Sequence, residues 1–302
     1  MSPNSFNTKS VLSKNGKSFY WASLFLGSNS TMHASNLYYF CRKLDDLADK
    51  NNKNNTKQLK KIRKDLIVNQ KISNNFFKIF KKTKDKYNIK NEYIIDLLDG
   101  LIFDQGLVKI KNQKDLIQYC YKVAGCVGLM MCPILGCNNS KAEPFAIDLG
   151  IAMQITNIAR DIKEDAEMNR RYIPGNWINN LSASEILEAS KDNNSKNYIL
   201  IQKGLKKLLN LAELYYKSGN SGLVYLPLRS HISIAIASYV YKKIGQKIVD
   251  DNYHWGKKRV FTTIIEKVFC SLISLKSIFN RIKTLPTHDS KLQQFLKTQI
   301  YD

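Results

Sequence analysis

Residues Leu149 to Pro174 read LGIAMQITNIARDIKEDAEMNRRYIP, and the folding of that stretch decides the reading of the whole chain. Wound as a helix, it stacks Asn157, Asp161 and Asp165 four residues apart on one face, with Gln154 one turn earlier. Ala152, Ile155, Ala159 and Ile162 recur on the other side, so the segment has an apolar stripe to bury and an oxygen-rich stripe to present. Like charges at this spacing cost about a few tenths of a kcal/mol each on an exposed helix, and more when buried. The row therefore needs either open water or a cation.

Outward from it, the chain reads as helix after helix. Helices are predicted over Ser18–Phe25, Met32–Asp49, Gln58–Asn69, Asn75–Lys84, Asn91–Phe103, Asp115–Leu135, Tyr198–Ser218, Leu228–Ile248 and Thr262–Lys283, with polar loops at Lys50–Lys57 and Ser190–Asn197. In the helix after Asp115, Ala124 and Gly128 leave one face nearly bare, which suits either tight helix packing or an apolar ligand groove. Nothing alternates as a strand, nothing repeats, and no Gly- or Pro-rich linker divides the chain. The expectation is one all-α domain over residues 1–302, with short flexible ends at about 1–14 and 285–302.

Composition narrows the function. The 302 residues are 44% apolar, enough for a sizeable core. The formal net charge is +22, but lysines are spread along the chain beside asparagine and isoleucine, as in KNNKNNTK (Lys50–Lys57). That spread reads as a solvated basic surface, with attraction to anionic lipid or a polyanionic substrate as the functional alternative. No nucleic-acid-binding module is present, so a nucleic-acid partner is not expected. Cys41, Cys120, Cys126, Cys132, Cys137 and Cys270 form no C-x-x-C pair and suit free thiols in a reducing cytoplasm. The opening MSPNSFNTKS lacks the apolar core of a secretory signal. The apolar run Val123–Gly136 is interrupted by Pro133 and too short for a bilayer core of roughly 30 Å, so no transmembrane helix is expected.

The sequence contains no H-E-x-x-H, G-x-x-x-x-G-K-[ST], G-x-G-x-x-G or G-x-S-x-G, and His33, His231, His254 and His288 are scattered. Two D-x-x-x-D pairs remain, Asp45/Asp49 and Asp161/Asp165, each beside an arginine, Arg42 and Arg160. Facing each other, such carboxylates are hard ligands suited to Mg²⁺, with Mn²⁺ as the substitute. Magnesium usually completes its shell with substrate phosphates, and nearby arginines hold the remaining phosphate oxygens. With neither a phosphate-cradling glycine loop nor a base-stacking platform, and with an apolar helical interior alongside, the substrate expected is a diphosphate carrying a long hydrocarbon.

At this point several collinear blocks match a known pattern: KSFYWA (Lys17–Ala22), YYFCRKLDDLAD (Tyr38–Asp49), YCYKVAGCVGLMM (Tyr119–Met131), and the Leu149–Pro174 stretch, with weaker GLVYLPLRS (Gly222–Ser230), AIASYVYKKIG (Ala235–Gly245) and WGKKRV (Trp255–Val260). The chain resembles the squalene and phytoene synthases, the head-to-head prenyl transferases. The resemblance implies an isoprenoid-synthase helical bundle with a central active-site cavity. It implies that Asp45 and Asp49, with Asn157, Asp161 and Asp165, bind magnesium ions bridging two prenyl diphosphates. Ser18, Tyr38 and Arg42 fall where the family contacts diphosphate, Tyr241 and Arg259 where it closes over the leaving group, and Val123, Gly128 and Gln154 where it lines the cavity. Phe19, Tyr119, Arg160 and Tyr172 lie within the same blocks and are expected at the substrate.

The implied reaction joins two geranylgeranyl diphosphates to phytoene in carotenoid biosynthesis, with no NADPH required. The alternatives are farnesyl diphosphate-using synthesis of squalene, presqualene diphosphate or dehydrosqualene, and an inactive homologue or assembly factor. A cytoplasmic enzyme peripheral to an anionic membrane, near downstream carotenoid enzymes, fits that implication. Two departures stand out. Asp99–Asp104 reads DGLIFD where relatives are often methionine-rich and more acidic, and Asn169 replaces a common glycine before Arg170.

Overall fold

Helix begins in the first turns of the chain. The computed structural model describes residues 3–49, 53–256, 259–282 and 284–296. It opens with α1 (Pro3–Asn15), α2 (Lys17–Ser23) and α3 (Ser28–Asp49). Next come α4 (Lys53–Ile67), α5 (Asn75–Lys86) and α6 (Asn91–Phe103). A long rod follows, made of α7 (Gln113–Cys120), a π-helical turn over Tyr121–Gly125, and α8 (Cys126–Ile134). Then come α9 (Glu143–Arg160), α10 (Ile162–Glu167), α11 (Ala183–Ala189), α12 (Lys196–Ser221), α13 (Leu228–Asp250) and α14 (Ile264–Ser274). Among the described residues there is no strand, and the one β-type pairing is an isolated bridge between Lys109 and Arg171.

Local chemistry sets several of these starts. The Asn112 side chain accepts from the Asp115 N–H at 3.0 Å to open α7, and Ser195 caps α12 from the Tyr198 N–H. Ser182 with Glu185, and Thr263 with Glu266, form reciprocal capping boxes on α11 and α14.

α9 is the central post. It packs against α8, α12, α13 and the π-helical turn, and its Ile151, Ala152 and Ile155 are fully buried. Small residues permit the approach. A side chain on Gly150 would come within 2.5 Å of the Ala124 carbonyl oxygen, one on Gly128 would strike the Ala146 carbonyl, and one on Gly219 would meet Leu149. The bare Ala124/Gly128 face thus serves close helix packing, and both residues also line the central cavity.

Several expectations change. The first residues form α1, held by buried Leu12 and Thr8 and by contact with α3, because Leu12 finds apolar wall inside the bundle. The tail is tied down at least through residue 296: Leu296 is buried, Tyr215 donates to the Leu292 carbonyl at 2.6 Å and Tyr225 to that of Pro286 at 2.9 Å. Buried Asp148 on α9 adds to this, accepting from Ser218, Gln293 and His288 at 2.5, 2.8 and 2.8 Å; residues 297–302 lie outside the described residues. Finally, Gln113–Ile134 forms one 22-residue helical rod, long and apolar enough by length and composition to cross a membrane. Here it packs against α6 and α9 as core. Of the loop expected at Lys50–Lys57, residues 53–57 belong to α4 and 50–52 lie outside the described residues.

Candidate active site

The helix carrying the acidic row breaks at its first aspartate. Asp161, with φ −107° and ψ 18°, ends α9 and begins α10. The four-residue spacing survives the break, because the Asp161 N–H donates to the Asn157 carbonyl at 2.9 Å and the Asp165 N–H to that of Asp161 at 2.8 Å. What changes is the surroundings of each carboxylate. Asp161 lies between two guanidiniums: Arg160 at 2.7 and 2.6 Å, and Arg259, from the segment before α14, at 2.8 and 2.9 Å. Such paired N–H contacts are charge-assisted and directional.

Asp165 has a different environment. Burial pushes its carboxyl well above the usual range, Asp161 and Asp104 push in the same direction, and Arg170 opposes them. Across the site on α3, half-buried Asp45 is pushed up to about 7 by burial, with Asp49 and Asp104 adding and Arg42 opposing. Arg42 itself bonds Asp46 at 2.8 Å instead of Asp45, since the i,i+4 position suits its reach. Asp49 pairs with Arg170 at 3.3 Å. The two acidic pairs thus share one field, and Arg170 links them.

Asp104 connects the two sides. It stands at the C-cap of α6, yet its side chain is buried and accepts hydrogen bonds from Tyr119 at 3.0 Å and Tyr172 at 2.7 Å. The two phenol rings stack at 4.8 Å. Burial pushes Asp104 up to about 6, against the pull of the phenols and Arg170. Tyr119 and Tyr172 are buried with their hydroxyls committed to this carboxylate, and neither lines the central cavity. Only the place of these tyrosines in the quoted blocks hints at the arrangement in sequence.

Beyond the charged groups lies a cavity of about 310 Å³. Its wall is apolar, drawn from α2, α3, the π-helical turn, α8, α9 and α13, and includes Val123, Val127, Met131, Leu149 and Met153. Gln154, Asn157, Tyr38 and Tyr241 also line it and mark the end that meets the charges. Tyr38 lies in the field of Arg42 and Asp45, and Tyr241 in that of Arg160, Asp161 and Arg259. Phe19 sits between these tyrosines, its ring 6.3 Å from Tyr38 and 5.1 Å from Tyr241. Ser18 precedes it on α2, half-buried and off the cavity wall.

The donor set suits a hard divalent cation. Among the described residues no three acidic, histidine or cysteine side chains already converge on one point, because arginines hold Asp161 and Asp49. The oxygens nevertheless lack compensation: Asn157 Oδ1 is buried with no hydrogen-bond partner, and Asp45 and Asp165 are held protonated above their ordinary range by burial and neighbouring carboxylates. Buried oxygens left in this way cost free energy that a cation offsets.

Known proteins resemble this chain in sequence and in fold. The family model described as squalene/phytoene synthase matches residues 12–266. The chain is 34% identical over 264 residues to a protein named 15-cis-phytoene synthase from Enterobacter agglomerans, covering 83% of this chain and 88% of that one. It is 31% identical over 292 residues to one of the same name from Pantoea ananas, covering 92% and 93%. Among solved structures, a ligand-bound dehydrosqualene synthase superposes with a TM-score of 0.79 at 25% identity, covering 90% of this chain and 95% of that one. A squalene synthase from Alicyclobacillus acidocaldarius has the same fold, with a TM-score of 0.70 at 19% identity and coverage of 84% and 97%. With the family match spanning most of its length, the chain belongs to the squalene/phytoene synthase family.

Proposed function

We propose that this protein joins two geranylgeranyl diphosphates head to head, through a cyclopropylcarbinyl diphosphate, to give phytoene. The observation that carries the reading is the meeting of five carboxylates and flanking arginines with an apolar-walled cavity at Asn157, Tyr38 and Tyr241. The bacterial relatives named 15-cis-phytoene synthase, matched over most of their length, support phytoene as the product, and geranylgeranyl diphosphate is the substrate that this reading assigns to it.

Asp45, Asp49, Asn157, Asp161 and Asp165 would hold Mg²⁺, with Mn²⁺ as a substitute; when bound, the ion supplies Lewis-acid stabilisation of charge developing on the diphosphate. Arg160 and Arg259 both pair with Asp161. A diphosphate competes for both guanidiniums, which then stabilise it as it departs. The allylic cation left behind would lie near the rings of Phe19, Tyr38 and Tyr241, which line the cavity; aromatic quadrupoles favour positive charge. Attack by the double bond of the second substrate builds the cyclopropane. A second ionisation, rearrangement and proton loss give the conjugated triene without a reductant. The Val, Leu and Met wall keeps water from quenching either cation. The apolarity of substrate and product makes contact with an anionic membrane part of this reading.

The second reading uses farnesyl diphosphate, and the superposition on a dehydrosqualene synthase favours it. Both reactions need the same charged end. Asp45→Asn and Asp161→Asn should each lower turnover by at least about 100-fold, the order expected when a group stabilising developing charge is lost. Extraction of labelled product measures this, with circular dichroism reporting retained helix. Near-normal turnover in either variant removes that residue from the machinery.

A further inference from the structure

α14 is built inside out. Its protein-facing side carries Lys267, Cys270 and Ser274, while Ile264, Ile265, Val268, Phe269 and Leu272 are exposed, Ile265 at 82% and Phe269 at 61%. The 3₁₀ segment Leu275–Ile282 continues the pattern, burying Ser277 and exposing Phe279 at 70% and Ile282 at 85%. A surface helix normally buries its apolar stripe and shows its polar one. Here the orientation is locked from inside. Trp21 Nε1 donates to Ser271 Oγ at 3.0 Å, Ser277 Oγ lies 2.9 Å from His231 Nε2, and Arg281 donates to the Leu226 carbonyl at 2.7 Å. Rotating the stripe inward would break all three, so the apolar face is fixed outward and is far too continuous for scattered surface residues.

Charge selects what covers it. From Arg259 to Leu285 the sequence holds five basic residues and one acidic residue, Glu266; Arg259 is paired with Asp161 and Lys267 is buried, while Glu266 is used up in the α14 cap and a 2.9 Å pair with Lys247. Lys276 and Arg281 are both exposed in this segment, Arg281 while bonding the Leu226 carbonyl through one guanidinium nitrogen. A second copy would bring a like-charged face and another +22 molecule against this one. An apolar stripe rimmed by cations is instead the pattern of a helix lying in the interface of an anionic bilayer. Behind the stripe, Cys270 packs with Ala22 and Ala237, which line the cavity.

We propose that α14 and the Leu275–Ile282 segment are the surface by which the protein docks in an anionic lipid bilayer, setting the cavity wall one helix from the membrane. This names the surface for the membrane contact in the reading above, and its test needs no turnover, so failure of docking and failure of the proposed reaction are separable. The test is co-sedimentation of the full chain with vesicles of phosphatidylcholine alone or mixed with phosphatidylglycerol. Wild-type protein should bind the mixed vesicles at least about tenfold more tightly than the neutral ones and lose affinity as salt rises. Phe269→Ser with Phe279→Ser, both exposed, should weaken binding by about tenfold or more, and Lys276→Glu by at least about fivefold, with unchanged circular dichroism and melting temperature. Absence of wild-type binding, or equal binding by the double variant, would overturn the proposal. So would a wild-type dimer in sedimentation that the double variant makes monomeric while vesicle affinity stays the same, which would assign the face to a second copy.

Discussion

Asp161 carries two guanidiniums, and the two arginines differ in mounting. Arg160 sits on the last turn of α9, whereas Arg259 reaches in from the irregular segment before α14. Arg259→Ala should therefore leave the fold intact and cut turnover by about 100- to 1,000-fold, the usual loss on removing one donor to developing negative charge; steady-state product formation checks this. The raised carboxyls make a second prediction. An unfolded aspartate releases its proton near about pH 4, whereas the native chain holds those of Asp104 and Asp45 to about 6 and about 7. Between those limits the native state binds more protons than the unfolded one, so stability should fall as pH rises from about 4 to 7 without divalent cation. The urea midpoint at pH 5 should exceed that at pH 7.5, and Mg²⁺ with pyrophosphate should narrow the gap; a higher midpoint at pH 7.5 in bare buffer contradicts this electrostatic picture. At this scale the sequence shows the acidic pairs and their arginines but not Asp104, whose environment depends on Tyr119 and Tyr172 arriving from other segments.

Among the elements, α9 shows how close packing and cavity share one seam. Gly150 faces the Ala124 carbonyl and Gly128 faces Ala146, and both glycines also line the cavity. Neither neighbour is a flexible side-chain tip, so Gly150→Ala must move backbone. It should cost about 1–3 kcal/mol of stability, measured by denaturant unfolding, and a loss below about 0.5 kcal/mol would show that the seam between α9 and the π-helical turn is looser than described. Helical periodicity made most elements legible, and α6 has the bounds expected from sequence. Three features were not legible for physical reasons. The break at Asp161 leaves the four-residue spacing unchanged. The docking of the C-terminal segment depends on buried Asp148, far away in sequence. The outward apolar face of α14 has the same period as an inward one, because a repeat reports a stripe and not which side meets the protein.

At the level of the whole molecule, charged and apolar groups are segregated. Carboxylates and arginines gather where α3, α6, α9 and α10 meet, apolar side chains surround the cavity beyond them, and α14 turns its apolar side outward. The all-α class and the family were legible in the ordered blocks, whereas the accepted chain length rests on the shape of the cavity and not on any short motif. The decisive measurement offers the purified protein equimolar geranylgeranyl and farnesyl diphosphates with Mg²⁺ and no reductant, and identifies the extracted hydrocarbon by mass. Phytoene as the dominant product is the predicted result; consumption of neither substrate, or a product built only from farnesyl units, would contradict it.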